Sequence, residues 1–175
     1  MKIYNVHERA FHADPRTVGS VLDSLSGEND RLWPRDAWPP MKFDKDLAAG
    51  AKGGHGPVRY RVAEYTPGRR VVFDFDGTGL TAGLDGRHVF EVIPRNRHVV
   101  LRHVVDAECG FKAWAKWHLL IGPLHDALLE DALDRCETAV SGSPGKSAAW
   151  SMRVKLLRRI AARQREKREA ERLRG

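Results

Sequence analysis

Three histidines, His88, His103 and His125, occupy positions where the surrounding sequence pattern is apolar. An imidazole can donate or accept a proton near neutral pH, so histidines among apolar neighbours are candidates for acid–base catalysis. They could also orient a ligand through hydrogen bonds. Each could instead be a buried histidine that only stabilises the core. The sequence therefore gives three candidate catalytic residues and leaves their role open.

The remaining motifs of catalysis and metal binding do not match the sequence. His118 and His125 are two helical turns apart, about 10 Å along a helix axis, which is too far to share one metal ion. Cys109 and Cys136 lack CxxC or Cys/His spacing, which argues against a zinc site and a disulfide framework and fits a reducing cytoplasm. Neither GxSxG nor HExxH occurs. We therefore expect no metal ion and no cofactor.

A predicted β-hairpin with its turn at Pro67–Gly68 brings apolar residues together on one face of an antiparallel sheet and opposite charges on the other. The inner face pairs Tyr60 with Phe75, Val62 with Phe73 and Glu64 with Val71, and the outer face pairs Arg59 with Asp76 and Arg61 with Asp74. Glu64 could act as a base if it were buried, but we favour an exposed carboxylate at the rim.

A second predicted hairpin has its turn at Arg95–Asn96 and adds two histidines to the same inner face. Its register pairs His88 with His103, Phe90 with Leu101 and Val92 with Val99. A slip by one residue would turn every side chain to the opposite face, so the apolar pattern determines which face is inner.

The elements that cover the sheet are predicted from capping signals and helical periodicity. A strand over residues 3–11 precedes Asp14–Pro15, an N-cap followed by proline at the first helical position. A long helix over residues 114–140, kinked at Gly122–Pro123, places its apolar face on the sheet. That face contains Trp114, Trp117, His118, Ile121, His125, Leu128, Leu129, Ala132 and Cys136. The glycine-rich residues 50–56 are predicted to be a flexible loop at the pocket mouth, with His55 at the rim.

With this order of elements, residues 1–140 resemble the SRPBCC superfamily, the START-like group that includes polyketide cyclase/dehydrase-like and lipid-transfer proteins. The resemblance is carried by the first strand before Asp14–Pro15, by residues 65–71 with Phe73, and by residues 123–128. It implies a helix-grip fold, an α+β fold in which a curved antiparallel sheet wraps around a long C-terminal helix. It also implies a cavity between sheet and helix, which different members use for lipids, hormones, polyketides or protein partners, without a universal catalytic residue.

The first function to follow is binding or transport of a small hydrophobic ligand in that cavity, because no catalytic constellation is recognisable. The candidate ligand-binding residues are Tyr60, Val62, Glu64, Phe73, Phe75, His88, Phe90, Leu101, His103, Trp117, Ile121, His125 and Leu128. The alternative is a cyclase- or dehydratase-like enzyme that uses the pocket histidines as acid and base on a ketone-bearing substrate.

The basic charge of the chain is concentrated at its C-terminal end. Residues 146–175 contain eleven Lys or Arg against three Glu, so the rest of the chain is nearly neutral although the formal charge is +7. Residues 141–147 are predicted to be a linker, and residues 148–175 a separable basic amphipathic helix with an apolar line at Trp150, Val154, Leu157 and Ala161. This tail could bind an anionic membrane surface, nucleic acid or a groove of a protein partner, or only increase solubility. The N-terminus does not resemble a signal peptide, and a cytoplasmic protein is expected.

Overall fold

A seven-stranded antiparallel sheet forms the centre of the structure, a computed structural model that describes residues 1–143 and 149–172. The strands are β1 (Lys2–Phe11), β2 (Met41–Phe43), β3 (Lys52–His55), β4 (Val58–Thr66), β5 (Arg70–Phe75), β6 (Leu84–Pro94) and β7 (Val99–Cys109). Their order in the sheet is β1-β7-β6-β5-β4-β3-β2. Strands that follow one another in the chain are therefore neighbours, except that β1 lies beside the last strand, β7.

The helices pack against the inner face of this sheet in the predicted order. Helix α1 (Pro15–Asp23) begins at the predicted cap, where the Asp14 carboxylate accepts a 2.7 Å hydrogen bond from the Arg16 amide. After β7, one helical segment comprises α2 (Phe111–Lys116), a π-helical turn (Trp117–Ile121) and α3 (Gly122–Ser141). Side chains of α1, α3 and the sheet share one hydrophobic core. The predicted helix-grip architecture is confirmed.

The β4–β5 hairpin follows the predicted register up to a β-bulge. The two confirmed inner pairs are Tyr60 with Phe75 and Val62 with Phe73. Beyond Val62 the bulge shifts the pairing, so Glu64 lies opposite Val72 instead of Val71. Because a bulge inserts an extra residue, it turns Glu64 to the solvent, where 58% of its side chain is exposed. The predicted position of Glu64 on the inner face is wrong, and the exposed carboxylate that we favoured is what the structure contains.

The β6–β7 hairpin differs from its predicted register by two residues. Phe90 pairs with His103 instead of Leu101, because the connection is the four-residue segment 95–98 and not a two-residue turn. A shift of two residues leaves each side chain on its original face. His88 and His103 therefore remain on the inner face, but as diagonal neighbours and not as a direct pair.

The predicted kink in the long helix coincides with the π-helical turn that precedes Gly122–Pro123. Such a turn contains one extra residue and changes which side chains face the sheet. Trp117 and Ile121 point inwards and are buried. His118 is exposed, and its ring lies against Trp114 at a centroid distance of 4.4 Å. The prediction that His118 packs on the sheet is wrong.

The glycine-rich segment 50–56 contains strand β3, so the prediction of a flexible loop is wrong there. Gly53 faces Tyr60 in the ladder. A Cβ atom at Gly53 would meet a backbone oxygen of β2 at 2.0 Å, which explains why the strand tolerates only glycine at this point. The His55 ring is half-buried, and its centroid lies 4.7 Å from that of Trp33 and 6.0 Å from that of Tyr60.

Helix α4 (Met152–Arg172) lies within the predicted tail, and its first turns contact the rest of the chain. Val154 is 4% exposed and belongs to the main core. The Trp150 indole donates a 2.9 Å hydrogen bond to the Asp131 carboxylate. The Arg158 guanidinium lies over the rings of Trp38 and Trp150 at 4.2 and 3.9 Å. The apolar line predicted for the tail thus begins against the domain, and this contact argues against a separable tail, which truncation tests.

Two parts of the predicted linker and tail are not among the described residues. Residues 144–147 of the predicted linker, and residues 148 and 173–175 of the predicted tail, lie outside the described residues. Within the part that is described, none of the helices is long and apolar enough to cross a membrane.

Candidate functional site

Six polar aromatic rings form a row through the interior between the sheet and the long helix. Successive ring centroids are 5.8, 5.1, 5.4, 4.7 and 6.0 Å apart. In order from the β1 edge, the rings belong to His7, His125, His103, His88, Tyr60 and His55. The fold therefore brings the three candidate catalytic histidines together, although they come from β6, β7 and α3.

A hydrogen-bonded histidine pair lies at the centre of this row. His88 Nδ1 and His103 Nε2 are 3.2 Å apart, and the two side chains are almost completely buried. Their outer nitrogens, His88 Nε2 and His103 Nδ1, and the Tyr60 hydroxyl are buried without a hydrogen-bond partner. A neutral imidazole carries one N–H, so one ring of the pair donates to the other. Consequently one of the two outer nitrogens is a free donor and the other a free acceptor, whichever ring holds the shared proton.

Burial keeps the centre of the row uncharged. It lowers the pKa of His88 and that of His103 well below the usual value, and repulsion from neighbouring histidines adds to the effect. Burial also lowers the pKa of His55 to about 3, and it raises the pKa of the Tyr60 hydroxyl. At neutral pH the centre of the row therefore offers neutral donors and acceptors and no charge.

Aromatic side chains of the sheet enclose the histidine pair. Phe73 stacks on His88 with a centroid distance of 4.6 Å and an interplanar angle of 19°. Phe75 stacks on the same ring at 5.2 Å, and Phe90 meets His103 edge-on at 4.5 Å. The polar atoms of the pair are thus held in rigid, apolar surroundings, which is the composition expected of a small-molecule site.

The predicted ligand-binding residues fall into three groups by position. Buried on the inner side are Tyr60, Val62, Phe73, His88, Phe90, Leu101, His103, Trp117, Ile121 and Leu128. Phe75 and His125 are partly buried beside them, with Trp117 and His125 in contact at 5.4 Å. Glu64 lies on the outer face, away from this group. That the inner residues bind a ligand stays a prediction.

The polar β1 side of the interior was not predicted from the sequence. Asn5, His7 and Arg9 alternate along β1 and meet acidic side chains of α3. Asn5 donates to Asp126 Oδ1 at 3.0 Å, His7 Nδ1 lies 2.8 Å from Glu130 Oε1, and Arg9 donates to Glu130 Oε2 at 3.0 Å. The available signal was a strand with polar residues at alternate positions together with a helix bearing an acidic stripe. The prediction for that helix concerned its apolar face alone.

His7, His125 and Asp126 each direct one possible ligand atom into the same space, and these atoms lie within 4.8 Å of one another. Burial opposes ionisation of Asp126, but interactions with His125, His7 and Asn5 hold the pKa of that carboxyl well below its usual range. Burial also opposes protonation of His7, but Asp126 and Glu130 outweigh it and raise the pKa of that imidazole. Two imidazoles and a carboxylate can ligate zinc and related cations. Spacing along the chain pairs His125 only with His118 and therefore predicts no such group.

Two surface cavities lie elsewhere on the described part of the chain. One, of about 460 Å³, is lined by residues including Asp23, Phe43 and Tyr65. The other, of about 670 Å³, is lined by residues including Arg135 and Trp150. Side chains of the ring row line neither cavity, and the rings contact one another across the interior.

Comparisons with known proteins identify the fold. No family model matches the chain, and no curated protein matches it. Norcoclaurine synthase from Thalictrum flavum, in complex with dopamine and hydroxybenzaldehyde, superposes with a TM-score of 0.60 at 14% identity, over 83% of this chain and 90% of that one. CalU16 from Micromonospora echinospora superposes with a TM-score of 0.55 at 14% identity, over 90% of this chain and 83% of CalU16. A protein from Thermobifida fusca superposes with a TM-score of 0.58 at 19% identity, over 78% of this chain and 94% of that protein. At these identities the likeness establishes the helix-grip fold.

Proposed function

We propose that this chain is an SRPBCC-type binding or transport protein that holds a small, mostly apolar molecule between its sheet and its long helix. The observation that carries the proposal is the set of buried polar atoms without partners, namely the Tyr60 hydroxyl, His88 Nε2 and His103 Nδ1. Buried polar groups in native proteins almost always have a partner, and an exception calls for an explanation. A bound molecule that completes these hydrogen bonds supplies one.

The chemistry of the site favours an uncharged ligand with an apolar body. The neutral histidine pair offers one donor and one acceptor, and the Tyr60 hydroxyl can act as either. A carbonyl or hydroxyl group on an aromatic or alicyclic molecule matches that set, whereas an ionic group would be buried there without a counter-charge. The small aromatic molecules bound to norcoclaurine synthase, which has the same fold, are consistent with a ligand of this size.

Ligand access requires the helical side of the interior to move. The rings of the row are in contact with one another. Trp117, on the π-helical turn, packs against the His125 ring and covers the row on that side. Phe111 and Leu119 in the same helical segment are 70% and 67% exposed, so this end of the molecule is fixed by fewer buried contacts than α3. We expect the segment from α2 through the π-helical turn to separate from the sheet when a ligand enters.

Native mass spectrometry of the purified full chain tests the proposal, because an apolar site often retains a host molecule. A retained small molecule, released by denaturation, supports the proposal and identifies the ligand class.

The ligand-stripped protein is then titrated with acetylnaphthalene, an aromatic ketone, and binding is followed by quenching of tryptophan fluorescence. Tyr60→Phe should weaken binding about 2- to 10-fold, the value of one neutral hydrogen bond. Tyr65→Phe, whose hydroxyl bonds to Asp23 outside the site, is the matched control. Absence of both a retained molecule and ketone binding would contradict the proposal.

A second candidate function is acid–base catalysis on a ketone-bearing substrate, and the His88–His103 hydrogen bond favours it because a proton can pass between the two rings. In that case His88→Ala and His103→Ala should lower turnover by about 100- to 10,000-fold and change substrate affinity only a few fold. Loss of binding or of folding in both variants would instead assign the pair to ligand orientation or to structure. His125, the third candidate, is tested in the same way.

A third candidate function is binding of an anionic membrane surface through α4. Met152, Leu156 and Ile160 form an exposed apolar stripe, at 77%, 57% and 45% exposure, on a helix rich in Arg and Lys. A basic helix with an exposed apolar stripe has the composition of an interfacial helix. Leu156→Asp should reduce co-sedimentation with phosphatidylglycerol vesicles, and Phe111→Asp, at an exposed apolar residue outside α4, should not. Equal binding by both variants would exclude this role.

A further inference from the structure

We propose that His7, His125 and Asp126 form a binding site for a divalent transition-metal cation of the zinc type. The site joins β1 to the start of α3, at the end of the ring row opposite Tyr60. It goes beyond ligand binding between sheet and helix, because the cation would be held by these three side chains whether or not that interior is occupied.

The donor atoms are spaced as the ligands of one cation. His7 Nε2 lies 3.1 Å from Asp126 Oδ1, and His125 Nδ1 lies 3.7 Å from the same oxygen. One ligand atom from each of the three residues lies within 4.8 Å of the other two. With metal–ligand bonds of about 2.0–2.1 Å, two ligands of a tetrahedral zinc ion are roughly 3.4 Å apart. Small side-chain adjustments therefore suffice to place a cation at equal distance from the three atoms.

The surrounding contacts orient the first ligand. Glu130 Oε1 lies 2.8 Å from His7 Nδ1, so a proton on Nδ1 leaves the Nε2 lone pair directed at the site. In zinc proteins the nitrogen of a ligating histidine that does not face the metal usually donates its proton to a carboxylate or a backbone carbonyl. Arg9 holds the other Glu130 oxygen at 3.0 Å, and Asn5 donates to Asp126 Oδ1 at 3.0 Å. The donor set is thereby fixed before any cation arrives.

An ion pair without metal explains only part of this arrangement. A protonated His7 between Asp126 and Glu130 would account for the two short distances at its ring. It leaves His125 unexplained, because His125 Nδ1 is buried without a hydrogen-bond partner and 3.7 Å is too long for a hydrogen bond to Asp126. A cation uses that nitrogen together with the other two ligands.

The accessibility and chemistry of the donors indicate which cation fits. The side chains of His7 and His125 are 12% and 15% exposed, but that of Asp126 is 48% exposed, so ions can reach the site from solvent. Two imidazole nitrogens and one carboxylate oxygen suit Zn²⁺ and Co²⁺ better than the all-oxygen cations Mg²⁺ and Ca²⁺. Three protein ligands leave a fourth position for water or an anion.

The test uses the full chain after removal of metal with a chelator. Titration with Zn²⁺ is followed by calorimetry, and titration with Co²⁺ by the visible absorption of a tetrahedral cobalt centre. We expect one equivalent to bind to the wild type and none to His7→Gln or Asp126→Asn at the same concentrations. Glu130→Gln, which removes the carboxylate behind His7 and leaves the three donor residues in place, should weaken binding about 10- to 100-fold. His118→Gln removes an exposed histidine elsewhere and should leave the affinity unchanged.

Near-UV circular dichroism of each variant separates loss of the site from loss of the fold. If His7→Gln does not fold, folded Asp126→Asn or Glu130→Gln protein decides the question. The inference is overturned if the folded wild type takes up no Zn²⁺ or Co²⁺, since the metal-free ion pair would then be the whole role of these residues. It is also overturned if the folded site variants bind as the wild type does, or if His118→Gln weakens binding as much as they do.

Discussion

Removal of the Tyr60 hydroxyl should not destabilise the ligand-free protein. The side chain is 2% exposed, and its hydroxyl oxygen is buried with no hydrogen-bond partner. A buried polar group without a partner costs about 1–3 kcal/mol of desolvation. Tyr60→Phe removes that cost and keeps the ring that packs on Phe73 and His88. We expect the free energy of unfolding to stay the same or to rise by about 1 kcal/mol, which corresponds to roughly 2–4 °C in Tm.

Tyr65→Phe is the matched control, because it makes the same chemical change where the hydroxyl has a partner. The Tyr65 hydroxyl donates a 2.9 Å hydrogen bond to the Asp23 carboxylate. Hydrogen bonds to charged groups contribute about 1.5–3 kcal/mol. The carboxylate retains its 2.7 Å bond from the Gly68 amide, so the lower end of that range is expected as the loss.

The measurement is urea denaturation of ligand-stripped protein at neutral pH, followed by tryptophan fluorescence, with the slope on urea checked for constancy. Tyr65→Phe should lower the urea concentration at the unfolding midpoint, whereas Tyr60→Phe should raise it or leave it unchanged. If Tyr60→Phe loses as much stability as Tyr65→Phe, its hydroxyl has a partner within the protein. The Tyr60 hydroxyl would then not be available for a ligand.

Three further outcomes follow from the structure. Because burial lowers the pKa of His88, the unfolded chain binds a proton below about pH 6.5 that the folded chain does not bind. Between about pH 7.5 and 5.5 the wild type should therefore lose about 1 kcal/mol more unfolding free energy than His88→Phe, as measured by denaturant titration at each pH. Truncation after Gly142 should cost about 3 kcal/mol, because it removes the buried apolar contacts of the first α4 turns, and an unchanged Tm would show a separable tail. Gly19→Ala should lower Tm by several degrees, because its Cβ would lie 2.5 Å from a backbone oxygen of the β4–β5 turn, and an unchanged Tm would show that the turn can move.

Much of the fold could be predicted because local rules specify it. Asp14–Pro15 starts α1 through a cap and a fixed φ angle, and the pattern of 3.6 residues identifies the long helix. Alternation with a period of two assigns His88 and His103 to the inner face. That assignment is correct although the register is wrong by two residues, because an even shift preserves the face.

Backbone irregularities could not be predicted, since sequence patterns do not record an extra residue in a turn or a strand. The bulge after Val62 turns Glu64 outwards, and the π-helical turn turns His118 to solvent. Each insertion changes the direction of a side chain by rotating the backbone locally. Patterns based on ideal periods therefore fail at these two residues and succeed on either side of them.

By itself, the sequence determined the element order, the inner face of the sheet and the presence of histidines on that face, because those properties depend on local periodicity and capping. Only the tertiary structure decided which groups meet across the interior. His7 approaches His125 and Asp126 because β1 lies beside β7 at the edge where α3 packs, a contact between distant parts of the chain. The way the start of the tail packs inwards depends likewise on Trp38 and Asp131, which contact Trp150 and which no pattern within the tail contains. Contacts of this kind arise from the packing of whole elements, and the periodicity of any one segment does not encode them.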